Sequence, residues 1–555
     1  MMGFNRSGAP VSSFDWRWDA GKPNNAFWVG HQQSGLRIRL KGPEAAWQQP
    51  RGPYFYHDLS RNATLPWGGS SGGGASFTVT TAAGGADGDS DGSSACELLV
   101  FTRTVTLPLR LHLDLVPTPS KPVTQATVDT HLRARYFQNE ATSTTSVADV
   151  AATGANINNL HQGTSLNPFM IYPFYPQCDA AFRNYSAEAA ARSPPMVTKF
   201  YYSAGSFSFV APELWALFSL GAEVIAPPAV PNPLVPEAGQ PPLGPFHWLQ
   251  EHALHPQYES DWTTPLAAPV DGIILDATIT TRSSPSSRLG NFWVQALPLL
   301  VNETGTRGIY LDGMSYNRAM MLRAKRALDL AVPKGGGSGG GMMDLHCGNR
   351  WNGGKGEVNA VEYMGHMAFM DSLMFGEGFD MEGTSAAYQL VETSGLPFGI
   401  FNDMLNGGGN IYRGMLTGAV TRPPYDRQTK QDPGYATAMW AFFDSAGLVG
   451  SRFTGWWADL PDWRCPVRTN SSDTVKASVF ARGGAEPRAV VVLASWADGA
   501  AAVELVVDWA ALGLDAATAR LTAPLIRGVQ DAAAFAAPGD AITVHPASGI
   551  ILVLQ

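Results

Sequence analysis

The sequence predicts a multidomain α/β plus all-β protein in which an eight-stranded barrel lies between two β-sandwiches. Three observations carry that prediction. Residues 1–155 and 469–555 hold short, alternating apolar and polar runs at sandwich-like spacing. Residues 156–468 instead alternate short apolar strands with helical stretches, the pattern of successive βα units and hence of a (β/α)8 TIM-like barrel. Two of those strands, Gly308-Ile-Tyr-Leu-Asp312 and the run from Asp371 to Glu377, end in a carboxylate followed by glycine. A parallel barrel presents acids in this way at the rim where its chemistry is done.

In the first zone the strand-like stretches are Phe27-Trp-Val29, Gly35 to Leu40, Ser76 to Thr80 and Leu98 to Val105, with a Gly, Ser and Asp-rich run from Gly68 to Ser94 reading as expanded loop. In the second, strands are expected near Asn167–Pro173, Thr198–Ser203, Gly272–Ile279, Gly308–Asp312, Met342–Cys347, Ser372–Glu377, Phe398–Asn402 and Phe453–Trp457. Between the fourth and fifth of these, Met320, Met321, Ala324, Ala327 and Leu328 recur at helical spacing from Tyr316 to Leu330, which predicts a crossover helix. Pro-rich Ala226–Pro245 and the glycine tract 334–341 read as loop insertions. In the third zone Ala477 to Phe480, Ala489 to Trp496, Val503 to Asp508 and Gly549 to Leu554 give the strands of a small terminal sandwich.

Composition narrows the function. An apolar fraction of 45% over 555 residues supplies a large core and excludes a disordered chain. The net charge of -9, with 38 Lys and Arg that form no basic tract, points away from nucleic acid and anionic membrane as partners. No apolar stretch is long enough for a membrane span, and Met1 to Asn25 lacks the apolar segment of a signal peptide. Five N-x-Ser/Thr sequons, at Asn5, Asn62, Asn184, Asn302 and Asn470, suit a secreted or endomembrane glycoprotein. The four cysteines lack metal-ligand spacing, His161, His247, His252 and His255 form no HExxH pattern, and neither a phosphate-binding loop nor a G-x-S-x-G elbow occurs, so no metal or cofactor is expected.

An uncharged polymer or conjugate such as a carbohydrate fits this frame. Glycoside hydrolysis requires one carboxyl to protonate the leaving oxygen and another to act as nucleophile or as base toward water. Asp312, short and beside Gly313, suits the ionised nucleophile or stabiliser. Glu377, between glycines with Phe375 and Phe379 nearby, suits the general acid/base whose pKa an apolar wall would raise. On strands four and six the backbones stand roughly 10 Å apart, and inward-reaching carboxylates then approach to ~5–8 Å, a span that covers retaining and inverting geometries. Asp380 is the second-choice acid. Tyr310, His346, Asp403, Trp456 and Trp457 are candidate substrate-binding groups, the aromatic faces for stacking on a sugar ring and the polar groups for hydroxyls. Arg288 and Asn291, opening the helix before strand four, are candidates for orienting Asp312. Glu392 is a further candidate for binding sugar hydroxyls, and Trp351 a further aromatic group near a predicted strand end. The competing readings are a barrel that binds carbohydrate without turnover and an N-acetylhexosaminidase in which the substrate's own amide assists.

The ordered series Thr118-Pro-Ser-Lys-Pro122, Asn167 to Phe174, Lys199-Phe-Tyr-Tyr202, Ala211 to Leu217, Ser287 to Asn291, Ile309 to Gly313, Asp371 to Glu377 and Tyr412-Arg-Gly-Met415 resembles a group of glycosidases similar to glycoside hydrolase family 123. The resemblance implies an N-terminal β-sandwich, a barrel and a C-terminal β-domain, together with glycosidase activity. Family 123 is similar to the substrate-assisted hexosaminidases, which use an adjacent Asp-Glu pair, whereas Asp312 here is followed by Gly313. An acid after strand four and another after strand six is instead similar to the layout of retaining α-galactosidase and α-glucosidase barrels.

Overall fold

The structure, a computed structural model, describes residues 117–139, 144–161, 166–167, 172, 176–202, 288–312, 318–332, 340–347, 366–375, 381–403, 410–420, 434–460 and 463–555 except 537–538, together with the backbone of six earlier strands and of 206–208 and 278–280. At residues 288–290, 312, 318–319, 347, 375, 392, 434, 459–460 and 463 the description is of the backbone alone.

The first zone contains β1 (Ser13–Arg17), β2 (Ala26–His31), β3 (Ser34–Leu40), β4 (Ser76–Thr81), β5 (Cys96–Phe101) and β6 (Leu113–Thr118). They form two antiparallel sheets, β1-β4-β5 and β2-β3-β6. Four of these six follow the alternating runs read from the sequence.

The central sheet is parallel throughout. It comprises β7 (Tyr136–Gln138), β8 (Ile157–Leu160), β9 (Val197–Tyr201), β12 (Gly308–Asp312), β13 (Met342–Cys347) and β14 (Ser372–Phe375), adjacent in space in the order of the chain. A parallel bridge from Leu373 to Asn402 adds a seventh position. This stepwise order is that of a (β/α) barrel, in which each strand pairs with the next after a helical crossover. Phe200, Ile309, Leu311, Met343, Leu345 and Leu373 alternate with the inner-face positions and are buried against the helices. Phe182, from the helix Pro176–Ala190, stacks on Phe200 at 5.7 Å, and Trp293, from the helix Arg288–Thr304, stacks on Tyr202 at 5.0 Å. The helix Arg318–Ala331 buries Met320, Met321, Ala324 and Leu328, as its spacing predicts.

Three strand expectations need correction, and a fourth falls mostly outside the described residues. Residues 278–280 form β11, which pairs antiparallel with β10 (Ser206–Ser208) outside the parallel sheet. Leu396–Phe398 is a 3-10 turn bounded by left-handed Gly395 and Gly399, so only Asn402 of the expected 398–402 strand reaches the sheet. Of the stretch 167–173, Asn167 and Tyr172 are described and neither is in a strand; the rest lies outside the described residues. The strand β15 (Arg452–Thr454) pairs antiparallel with β19 (Val475–Arg482), which makes it an edge of the C-terminal sheet. The barrel strands that the sequence conceals are β7 and β8, whose Tyr-Phe-Gln and Ile-Asn-Asn-Leu lack an apolar run.

The C-terminal zone is built on the sheet β15-β19-β20-β26-β23-β24, where β20 is Arg488–Ser495, β23 Leu521–Ala523, β24 Ala533–Phe535 and β26 Gly549–Leu554. Three small antiparallel pairs accompany it: β16 (Asp459–Leu460) with β17 (Trp463–Arg464), β18 (Val467–Thr469) with β22 (Leu505–Val507), and β21 (Ala501–Val503) with β25 (Ile542–Val544). One face of the large sheet, with Val479, Val491, Leu493 and Leu552, packs with residues of the last two pairs. The other, with Phe480, Val490, Val492, Ile551 and Val553, packs on Met415, Leu416, Met439, Trp440 and Phe443 of the helices Ile411–Leu416 and Gly434–Ala446. Burial on both faces explains why Ala489 to Leu493 and Ile550 to Leu554 are unbroken apolar runs rather than alternating ones. It also joins this sheet to the barrel through one shared core.

Candidate active site

Alternation along a strand sends every second side chain inward, and the register of the parallel sheet fixes which ones meet. Tyr310 lies opposite Tyr201 on one side and Asp344 on the other. Asp344 in turn lies opposite Ser372, and His346 opposite Met374. Within this face the Tyr310 hydroxyl and His346 Nδ1 are 2.6 Å apart, and their rings stack at 5.8 Å. The Tyr201 ring stands 5.2 Å from that of Tyr310 and 4.7 Å from that of His161. Asn159 directs its amide at Met374 Sδ across 3.7 Å. A hydrogen-bonded Tyr–His pair beside aromatic faces can offer both a polar contact and a stacking surface to a sugar.

Beneath this layer Lys199 and Asp344 form an ion pair whose side chains are both 0% exposed. Ser372 Oγ donates to the other Asp344 oxygen at 2.5 Å, and Lys199 Nζ lies 4.5 Å from the centre of the Tyr136 ring. The network connects β7, β9, β13 and β14 across the barrel interior. A buried charge requires such pairing, because desolvation without it costs several kcal/mol on the order-of-magnitude scale for ions in proteins.

Asp312 is the last residue of β12 and is in register with His346. It thus ends its strand beside the Tyr310–His346 pair; its side chain lies outside the described residues. Glu377 and Asp380 also lie outside them, two and five positions past the end of β14. Asp403 is fully buried and follows Asn402, its backbone N–H donating to Leu373 O at 2.9 Å, which sets it level with Met374 and His346. The sheet therefore brings Tyr310, Asp312, His346 and Asp403 to the same end of neighbouring strands.

Other candidates are placed elsewhere. Asn291 is exposed and accepts from Arg323 of the adjacent helix at 2.7 Å, so its amide is engaged in the helical layer. Arg288 starts the helix Arg288–Thr304, with its side chain outside the described residues. Trp456 and Trp457 are half-buried in the turn after β15 and meet edge-to-face at 5.8 Å. Trp457 packs edge-on against Phe453 at 6.0 Å, and Lys476 of β19 lies 5.0 Å from the centre of the Trp456 ring. Both belong to the C-terminal sheet rather than to a barrel strand. Glu392 ends the helix Ala386–Glu392, and Trp351 lies outside the described residues.

Sequence reasoning passed over Asn159, His161, Lys199, Tyr201, Asp344 and Ser372. The available signal was the intrusion of a polar residue at alternate positions of otherwise apolar strands, as in Val197-Thr-Lys-Phe-Tyr201 and Met342-Met-Asp-Leu-His346. A strand buried on both faces carries polar groups inward only where they are paired. Among the described residues, no helix is long and apolar enough to cross a membrane and no group of three His, Cys, Asp or Glu is placed to hold a metal ion.

Three family models match the chain: glycoside hydrolase 123, TIM-barrel domain, over residues 127–424; its C-terminal domain over 435–555; and its third domain over 1–89. None of the curated proteins matches. Solved structures to which the chain shows similarity include an alpha-amylase from Geobacillus thermoleovorans, at 11% identity, covering 77% of this chain and 98% of that one with a TM-score of 0.42. The GH36 alpha-galactosidase AgaB from Geobacillus stearothermophilus has 9% identity, coverage of 99% and 72%, and a TM-score of 0.43. A GH27 β-L-arabinopyranosidase from the same organism has 10% identity, coverage of 78% and 99%, and a TM-score of 0.40.

Proposed function

The chain belongs to the glycoside hydrolase 123 family and is a glycosidase, and we propose that it cleaves an O-glycosidic bond with Asp312 as nucleophile or charge stabiliser and Glu377 as general acid/base. The observation that carries this reading is the position of Asp312: the carboxyl end of the fourth parallel strand, in register with a histidine already hydrogen-bonded to Tyr310. Acids at the carboxyl ends of barrel strands are where this architecture performs catalysis. The sixth strand, β14, runs toward Glu377, so the two acids leave the sheet two strands apart, a spacing compatible with ~5–8 Å between carboxyls.

In this mechanism Glu377 protonates the departing oxygen while positive charge develops at the anomeric carbon, which the Asp312 carboxylate attacks or stabilises. The deprotonated Glu377 then takes a proton from a water whose oxygen bonds to the anomeric carbon, which breaks the ester bond to Asp312 where one has formed and returns both acids to their starting states. The Tyr310–His346 pair supplies a hydrogen bond to a sugar hydroxyl or to the Asp312 carboxylate, and Asp403 accepts from a second hydroxyl. The substrate is a carbohydrate chain or glycoconjugate.

The test is turnover of a panel of aryl glycosides by wild type, Asp312→Asn and Glu377→Gln. Each variant should fold and bind sugar but lose about 100-fold or more in kcat, the usual contribution of positioned acid–base and nucleophilic groups. Full turnover by Asp312→Asn would remove that residue from the mechanism. A thiazoline inhibitor separates the substrate-assisted route, since tight competitive inhibition is expected only if the substrate's own acetamido group is the nucleophile.

A further inference from the structure

The motif Tyr412-Arg-Gly-Met415 has no place in the chemistry above, yet Arg413 is among the most highly connected side chains described. It sits on the helix Ile411–Leu416 with only 3% of its surface exposed. Its Nε and Nη2 both donate to the carbonyl of Ser495, the last residue of β20, at 3.2 and 2.6 Å. Its Nη1 donates to the carbonyls of Met381 and Glu382, the latter at 3.2 Å. The guanidinium lies 4.3 Å over the Trp496 ring, and Trp496 Nε1 donates to Thr384 O at 2.8 Å. From the helix Ala386–Glu392, Gln389 Nε2 donates to Met381 O at 2.7 Å and to Thr384 Oγ1 at 3.1 Å.

Three side chains thus converge on four residues, 381–384, that belong to no helix or strand. Backbone carbonyls in such a segment lack a ladder to satisfy them, and side-chain donors take that role. The planar fork of arginine can serve two backbone segments on two edges at once, which a lysine ammonium cannot do. Asp380 immediately precedes the fastened segment, and Glu377 lies four positions before Met381.

We infer that Arg413 is a positioning residue for catalysis: with Trp496 and Gln389 it fastens the segment downstream of Glu377 to the end of a C-terminal strand, making the C-terminal sheet a working part of the active site. The inference rests on the reading of Glu377 as general acid. It gives the C-terminal domain a role in setting the proton donor, in place of that of an appended module.

Arg413→Lys and Trp496→Phe in the full chain test it with two readouts. In hydrogen exchange, peptides covering 381–385 should exchange roughly tenfold faster in either variant, with β19, β20 and β26 unchanged. In kinetics, kcat/KM should be compared on phenyl and 2,4-dinitrophenyl glycosides of a sugar that the wild type hydrolyses. A misplaced proton donor should cost about 10–100-fold on the phenyl glycoside, and under about threefold on the dinitrophenyl one, whose leaving group departs without protonation. Equal losses on both substrates, or unchanged exchange at 381–385, would overturn the inference. Glu377→Gln is the control: if it lacks the leaving-group dependence, the acid assignment fails. If Glu377→Gln has the dependence and Arg413→Lys lacks it, the positioning role fails and the acid assignment stands.

Discussion

Replacing Asp344 by Asn should be among the most damaging isosteric changes in the barrel. The substitution keeps the volume and the Ser372 contact, but leaves the Lys199 ammonium facing a neutral amide in a site where both side chains are wholly buried. The Tyr136 face at 4.5 Å offsets only part of the loss, since a cation–π contact contributes about 0.5–2 kcal/mol. Breaking a buried pair by removing one partner costs about 3–5 kcal/mol, because the surviving charge is left uncompensated. Lys199→Met should cost less, about 2–3 kcal/mol, since an unpaired carboxyl can take up a proton and remain bonded to Ser372. The double variant Lys199→Met/Asp344→Asn carries no buried charge and should lose only about 1–2 kcal/mol, giving a coupling energy of at least about 3 kcal/mol. Urea unfolding followed by near-ultraviolet circular dichroism, with hydrogen exchange of β9 and β13 to assign the transition to the barrel, measures all four proteins. Losses that simply add in the double variant, or a cost below about 1 kcal/mol for Asp344→Asn, would refute the pair as the brace of the barrel interior.

Two further outcomes follow from packing at the barrel's edge. His131 is buried, stacks on Phe401 at 4.5 Å and donates from Nε2 to Gly418 O at 2.8 Å, and burial lowers its pKa to about 4. As pH falls below 6.5 the unfolded chain takes up a proton that the folded chain refuses until about 4, so stability contributed above 6.5 is lost progressively, reaching about 3 kcal/mol. His131→Gln should flatten this dependence between pH 6.5 and 4 in denaturation midpoints, and an identical slope in the variant would exclude His131 as its source. Gly399 has φ +84° and a Cβ there would lie 1.9 Å from Lys121 O, so Gly399→Ala should cost about 2–4 kcal/mol and lower the melting temperature, whereas Gly483→Ala, with open space around it, should have little effect.

How far the sequence carries is decided by what each strand has to bury. Gly308–Asp312 and Met342–Cys347 match their expected limits because their outer-facing Ile309, Leu311, Met343 and Leu345 press on helices and leave an apolar trace. β7 and β8 leave none, since Asn158 and Asn159 spend their side chains on Asn139, Tyr185 and Met374. Phe453–Trp457 left a trace as strong as any barrel strand, but its apolar groups serve the C-terminal sheet. Composition cannot separate the two destinations, because Phe453, Trp456 and Trp457 pack half-buried against the shared core from the edge of the C-terminal sheet.

The position of Asp312 survives these errors for a physical reason. β7 and β8 enter the sheet ahead of β9, while the stretches 167–173 and 272–279 add no strand to it among the described residues, so Gly308–Asp312 is again the fourth strand and Ser372–Phe375 the sixth. What matters for chemistry is not the count but the register. Asp312 opposite His346, with Tyr310 hydrogen-bonded to that histidine, follows from pairing between two correctly read strands and needs nothing from the first three. The inner-face network is less legible because each member is unremarkable alone: a lysine in an apolar strand reads as a flaw until the aspartate that neutralises it is placed two strands away. Polar residues that interrupt a strand buried on both faces are therefore the ones to pair first, since burial without a partner is what the fold cannot sustain.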